Sequence, residues 1–451
     1  MENKLEKKYG LFTAIAMVVG IVIGSGVFFK AEAVLKATGG NMPLGIAAWA
    51  IVGLIMIICS YTFAIMATKY EKVNGVVDYA EMTVGSKYSY YVGWFMSIIY
   101  IPSLTSVLAW VSARYTAVLL GWDITGGSTM TIACFFLIGS YAINALSPVI
   151  AGKLQVSTTA IKLVPLTLMA VIGSIIGIKS GMTMSNFTNV VDTTVSISGG
   201  LFASVVSVAF AYEGWIIATS INAELKDSKK NLPRALVFGS LIVVFVYIFY
   251  YIGLAGAVSS ETLMESGQTG AMLAFQKIFG SVGGSLIFVF IIISCLGTLN
   301  GLMMGCTRGM YSLAIRNEGP LPKTFQQVDK ITNMPTNSAV FGVLLCAFWL
   351  LYFYGANLTD SWFGVFSFDS SELPIITLYA AYIPIFIMMM KKEKDLSVFK
   401  RFVMPILSVI GCLFMVVAAL FAHGKAVGYY LIIFAVLMII GSFFINKKSS
   451  N

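Results

Sequence analysis

Charge is what this sequence lacks. Only 11% of its 451 residues are Asp, Glu, Lys or Arg, and 58% are hydrophobic. Soluble domains carry about 25% charged residues, so this chain has too few polar side chains to cover a water-facing surface. That excludes a soluble enzyme. Histidine is nearly absent, His423 being the only one. The six cysteines, Cys59, Cys134, Cys295, Cys306, Cys346 and Cys412, have no metal-ligand spacing and read as small apolar filler. No metal, no cofactor and no catalytic cluster is therefore expected. A cleavage site after the charged start is also missing, because the apolar run that follows ends in IGSGVFF, so a retained first helix is expected.

What remains is a series of long uncharged runs, at 9–29, 37–68, 88–113, 124–152, 163–178, 193–212, 235–260, 278–307, 331–359, 373–390, 402–422 and 426–446. A membrane-spanning helix takes about 20 mostly apolar residues. Eleven runs meet or approach that length; the fifth is shorter because Lys162 interrupts a segment that begins near Leu154. The runs are too long and too continuously apolar for barrel strands. The expectation is an all-α integral membrane protein with twelve transmembrane helices.

The formal charge of +9 looks like a polyanion-binding signal until it is distributed along the chain. With the amino terminus inside, 21 of the 29 Lys and Arg fall in cytoplasmic segments, five outside (Lys30, Lys36, Lys179, Lys277, Lys425) and three at or within spans (Arg114, Lys162, Arg308). That is the positive-inside asymmetry. It predicts a multi-pass protein of the cell membrane with both termini cytoplasmic, and gives no reason to expect nucleic acid as a partner. Loops are short, and a piece at 262–280 reads as a surface amphipathic helix too polar to span. Two sequons, Asn186-Phe187-Thr188 and Asn357-Leu358-Thr359, fall outside and are expected to stay bare.

Two spans carry helix-breaking residues. In the first, Gly20, Gly24 and Gly26 surround Ser25 after Ile21; in the sixth, Phe210-Ala211-Tyr212-Glu213-Gly214-Trp215 interrupts an apolar run. Unwound backbone in lipid is tolerated where it lines a cavity. Breaks at matching places, spans one and six, predict a five-plus-five repeat with a central site. Amides freed at the start of a half-helix suit a carboxylate, and carbonyls freed at the end of the other half suit an ammonium, so a zwitterion satisfies both. Packing of small residues between helices is the competing reading of the glycines.

Three polar residues within spans add to this. Glu213 is the only acid between Thr193 and Ala223, and reads as site-lining, as a protonated structural group, or as a partner of Lys162. Lys162 either snorkels from about two turns inside its span or donates to carbonyls of helix one, as a bound sodium ion does in coupled carriers. Asn300, in Gly297-Thr298-Leu299-Asn300-Gly301, faces the cavity or bonds across helices. Tyr212 and Trp215 read as core aromatics or as lids over substrate.

GSGVF in helix one, FAYEGW in helix six, the stretch from Glu224 to Arg234 and YSLAIRNEGPLP from Tyr311 to Pro322 resemble the amino acid–polyamine–organocation superfamily, in particular bacterial relatives of L-type transporters that include serine/threonine exchangers. The resemblance covers residues from about 10 to 445. It implies a LeuT-like fold, with a cytoplasmic tail at 1–8, one repeat over 9–179, its inverted partner over 199–390, two further helices over 402–446 and a tail at 447–451. It implies a substrate carboxylate on the amides of Gly24, Ser25 and Gly26, and an amine on carbonyls near Ile21, Phe210, Ala211 and Glu213. Tyr212, Glu213 and Trp215 complete the binding set, with Lys162, Glu213 and Asn300 in coupling or gating. Lys162 matches a helix-five lysine of sodium-independent members. The chain departs from the pattern at Asp78, beside the inner gate, and at Glu213.

The function so implied is sodium-independent transport of small neutral L-amino acids, by exchange and alternating access, with no obligatory heavy-chain partner. The alternative is a proton-coupled symporter, or an antiporter of cationic amino acids or polyamines. A channel would need a continuous polar pore, and the spans show none.

Overall fold

The structure, a computed structural model, describes residues 10–70, 75–217, 219, 225–332 and 334–445. The expected tails at 1–8 and 447–451, Glu71 to Asn74, and Glu224 lie outside the described residues.

Every expected span is a helix. The first is broken in two, α1 (Leu11–Val22) and α2 (Gly26–Ala37), bent by 46°. Then come α3 (Met42–Lys69), a short α4 (Val76–Thr83), α5 (Ser86–Leu120), α6 (Gly127–Leu146) and α7 (Ile150–Ser180). The second half runs α8 (Ile197–Ala211), α9 (Ser228–Ala257), α10 (Gly270–Ala314), α11 (Thr336–Asn357), α12 (Leu373–Lys392), α13 (Phe399–His423) and α14 (Lys425–Ser442). With α1 and α2 counted as one, twelve segments are long and apolar enough to cross a membrane.

The helices bury side chains by position in the bundle, and lipid takes the place of water outside it. α5 is the most enclosed, 89% of its spanning window lying inside the protein, whereas α14 shows only 17%. Charged loops gather at one end, where Lys69 reaches Glu393 and Asp395 and Arg316 reaches Asp78. We refer to this as the basic end. At the far end, the amide of Asp192 donates to Gly39 O at 2.8 Å, closing the loop after α7 onto the loop after α2.

Three details differ from the sequence reading. The 262–280 piece is helical in two parts, Ser260–Ser266 and the first turns of α10, with a change of direction at Gly280 (φ 74°). Lys30 is no charge outside the span: it sits within α2 at 4% exposure, and needs a partner there. Asn186 is buried too. Its amide donates to Ala255 O (2.6 Å) and Val258 O (2.9 Å) and accepts from Ser260 N (2.9 Å), so it caps the end of α9 and presents no sugar acceptor.

Candidate substrate site

The two breaks meet at the centre of the bundle. Ile23 leaves helical geometry (φ −70°, ψ 107°) at the end of α1, and Gly26 opens α2. The first N–H groups of a helix have no acceptor within it, so the start of α2 presents free donors to the space beside it. On the other side, α8 ends at Ala211, the chain turns through Tyr212–Gly214, and a tight turn follows at 215–217. Gly214 takes φ +104°, a conformation that side-chain-bearing residues rarely adopt, and its α-carbon faces Ile21. Gly26 is pressed so closely on the backbone of Ala211 that a methyl group there would collide with the Ala211 α-carbon. Ile21, Gly24, Ser25, Gly26, Ala211, Tyr212 and Glu213 thus belong to one locus.

Lys162 is fully buried, so the snorkelling alternative fails. Its ammonium donates to Gly20 O (2.7 Å) and to Thr298 Oγ1 (2.9 Å), joining α7 to the end of α1 and to α10. Thr298 in turn lies over Gly24, and Ser294 Oγ donates to Gly24 O at 3.4 Å. Tyr247 of α9 donates to Val22 O at 3.0 Å. The carbonyl end of α1 is therefore held from three helices.

Glu213 does not pair with Lys162. Its Oε1 accepts from the Tyr100 hydroxyl, and its Oε2 is buried with no hydrogen-bond partner. Tyr100 closes a π-helical turn, Met96–Tyr100, inside α5, an irregularity that re-aims side chains and recurs at functional sites. Ser25 Oγ is likewise buried and unpartnered. A cluster of unsatisfied polar atoms at two helix breaks is an arrangement that a polar ligand would complete.

Aromatic layers close the locus on both sides. Toward the far end, Phe210 packs on Phe29 (5.8 Å between centroids), and Phe29 on Trp110 (5.9 Å). Toward the basic end, Trp215 packs on Phe63 (5.8 Å) and Tyr382 (6.0 Å). Tyr212 stacks sideways against Trp49 and Tyr247. Beyond each layer lies an ion-pair latch. At the far end Lys30 meets Glu372 at 2.6 Å, and Glu372 also accepts from Ser207 (2.9 Å) and bonds His423 (3.0 Å). At the basic end Arg316 pairs with Asp78, and Lys69 with Glu393 and Asp395. The Lys69 ammonium hydrogen-bonded to Asp395 holds that carboxyl below its usual range. Both sets of ion pairs are made at once and both aromatic layers are packed, so the locus is closed at both ends.

Asn300 is not brought to the break. Its amide donates to Ala151 O (3.0 Å) and accepts from Asn144 Nδ2 (3.0 Å), so it braces α10 against α6 and α7. Thr298, two residues earlier and on another face, is the α10 group that reaches helix one. Tyr100, Thr298 and the Lys30–Glu372 pair were not singled out from sequence. Tyr100 and Thr298 carry no distinctive local signal. For Lys30 and Glu372, charges at the ends of apolar runs were the available sign.

The sequence model described as amino acid permease matches residues 9–444. The serine/threonine exchanger SteT of Bacillus subtilis is 29% identical over 439 residues, covering 96% of this chain and 95% of its own length. The b(0,+)-type amino acid transporter 1 of Mus musculus is 23% identical, covering 96% of this chain and 86% of its own length. The human large neutral amino acids transporter small subunit 2 is 26% identical over 72% of this chain and 60% of its own length. Among solved structures, MhsT in complex with L-phenylalanine superposes with a TM-score of 0.58 at 15% identity, over 95% of this chain and 99% of that one, which fixes the LeuT-like fold. This chain is a member of the amino acid permease family, a multi-pass membrane transporter and not an enzyme.

Proposed function

We propose that this protein is a sodium-independent carrier of small neutral L-amino acids, alanine-, serine- or threonine-like, working as an exchanger by alternating access. The observation that carries the reading is the Lys162 ammonium. Its Nζ sits on Gly20 O and Thr298 Oγ1, a buried donor at the carbonyl end of α1 where a coupled carrier needs an ion. The similarity to SteT, named a serine/threonine exchanger, supports the substrate class and the exchange mode.

In this mechanism the substrate carboxylate accepts from the amides of Gly24, Ser25 and Gly26, aided by the positive end of α2. The ammonium donates to carbonyls at Ile21, Phe210 and Ala211. Phe210 shuts the far side, Trp215 the basic side, and Tyr212 walls the site laterally. Residues 9–179 and 199–390 act as the two inverted halves, with 402–446 outside them. The basic end faces the cytoplasm, as the positive-inside asymmetry requires. No heavy-chain partner is needed. Exchange follows if the loaded carrier reorients readily while the empty one, with unsatisfied polar atoms at the breaks, does so slowly.

A second reading rests on Glu213, whose Oε2 has no hydrogen-bond partner and which forms no ion pair among the described residues. A buried carboxylate left so is costly unless it takes a proton or a cationic substrate. That favours proton coupling, or a dibasic amino acid or polyamine as cargo.

Uptake of labelled serine, alanine, leucine and arginine into liposomes of purified protein decides between them. Interiors are empty or loaded, with and without sodium and a pH gradient. Serine and alanine uptake confined to loaded vesicles, indifferent to sodium, is the expected result. Uptake into empty vesicles driven by the proton gradient would overturn obligatory exchange, and preferred arginine uptake would overturn neutral specificity.

A further inference from the structure

Among the described residues, Arg114 is a buried cation of the bundle without a hydrogen-bond or ion-pair partner. It lies in the far-end half of α5 at 8% exposure, its Nε is buried without a partner, and no hydrogen bond or ion pair to its guanidinium is found among the described residues. Its neighbours are aromatic: the guanidinium carbon stands 4.8 Å from the Trp110 ring centroid and 5.5 Å from that of Phe29. Lys30 and Glu32 are the charged groups in electrostatic range, and each already has a partner, Glu372 at 2.6 Å for Lys30 and Lys36 at 2.6 Å for Glu32.

Its position is informative. Phe29 is one helical turn from Gly26, packs on Phe210, and with it roofs the helix breaks. Arg114 lies against that same ring, its guanidinium carbon 5.5 Å from the centroid, so the aromatic side chain that packs on Phe210 also packs on the guanidinium. The side chains that cover it, Phe29 from α2 and Trp110 from α5, belong to the far-end aromatic layer, and α2 is the half-helix that the Lys30–Glu372 pair ties to the start of α12. Once α2 moves, the guanidinium faces the path to the breaks with its planar fork of donors free. Such a fork matches a carboxylate by two parallel hydrogen bonds, on an aromatic wall that suits the adjacent apolar carbons.

We propose that Arg114 is the receiving site on the far-end path: it takes the α-carboxylate of an incoming amino acid before that carboxylate passes to the amides of α2. This rests on the reading of the cargo as an amino acid and adds a second, sided contact outside the central site. In the closed arrangement the contact is broken and Phe29 covers the guanidinium, so Arg114 affects capture from one side only.

The test compares kinetics on the two faces of the full-length protein. Uptake of labelled L-serine into intact cells reports the far end, and uptake into everted vesicles from the same cells reports the basic end. R114Q is expected to raise the far-end KM about tenfold, the loss of one charge-assisted carboxylate contact, while the basic-end KM stays within about twofold. R114K, which keeps the charge but not the fork, should recover part of the loss. Equal KM shifts on both faces, with a lowered detergent melting temperature, would mark a packing residue and sink the proposal. An unchanged far-end KM in R114Q would do the same. Replacing external chloride by gluconate should leave the unmutated protein unchanged; a far-end KM that moves with chloride would assign the guanidinium to that ion instead. If the unmutated protein carries no labelled amino acid on either face, the transport reading fails with it.

Discussion

Lys162 and Gly26 are where single atoms decide most. The Lys162 side chain holds Gly20 O and Thr298 Oγ1 from a fully buried position, and a buried donor removed leaves its acceptors unsatisfied at about 1–3 kcal/mol each. Lys162→Met keeps the length and apolar stem, so folding should survive while exchange falls at least about tenfold; Thr298→Ala, which removes one of the two acceptors, should cost about threefold to tenfold. Serine counterflow in liposomes measures both, and full activity of Lys162→Met would remove the ammonium from the mechanism. Gly26→Ala places a methyl against the Ala211 backbone, which cannot step aside as a side chain can. The two breaks would separate by a few tenths of an ångström or more, and overpacking of that kind costs about 1–3 kcal/mol. Serine binding should weaken strongly in this variant, with a melting temperature below that of the unmutated protein.

Among the elements, α2 is the part of the proposed cycle whose restraints are most open to test. It is tied at the far end by Lys30 to Glu372, at the start of α12, and through Glu372 to Ser207 of α8 and His423 of α13. Glu372→Gln preserves shape and hydrogen bonding but removes the charge opposite Lys30, leaving a buried cation without its counter-ion. That is a loss of several kcal/mol to the closed arrangement, because breaking one partner of a buried pair strands the other. A cysteine at Phe210, behind the latch, should then react several-fold faster with a membrane-impermeant maleimide. Equal labelling rates with and without the change would show that the pair does not hold the far end shut.

The same elements show what sequence could convey. Breaks in helices one and six were legible, because glycine clusters and a lone acid inside apolar runs have few other causes. Lys162 was legible for the same reason. The facing of each helix was not. In lipid both the outer and the inner surfaces of a span are apolar, so the periodic signal that orients a helix in water is weak. Thr298 and Asn300 lie two residues apart in one motif; only packing reveals that the first reaches helix one and the second braces α6 and α7. Tyr100 depends on a π-helical turn that residue types do not announce. Lys30 reads from sequence as a charge outside the span, because a charge at the end of an apolar run is ordinarily the end of the span.

For the whole molecule, the consequence of two latches made together is that they oppose one another. In the proposed cycle, opening the far end parts Lys30–Glu372 while Asp78–Arg316 stays, and opening the basic end does the reverse. Arg316 is 21% exposed and its pairing is screened, so it contributes less than the enclosed far-end pair. Arg316→Gln should therefore bias the carrier toward the basic-end-open state by a smaller factor than Glu372→Gln biases it the other way. With the latches at opposite ends and no shared partner, their effects should add in free energy. The double variant should then sit between the two single variants, nearer the Glu372→Gln one, in the ratio of labelling at cysteines placed behind each latch, at Phe210 and at Trp215. It should also leak: with neither end held, the empty carrier crosses more easily and serine enters unloaded vesicles. A double variant that still demands an internal amino acid would mean that the helix breaks alone, and not the latches, make exchange obligatory.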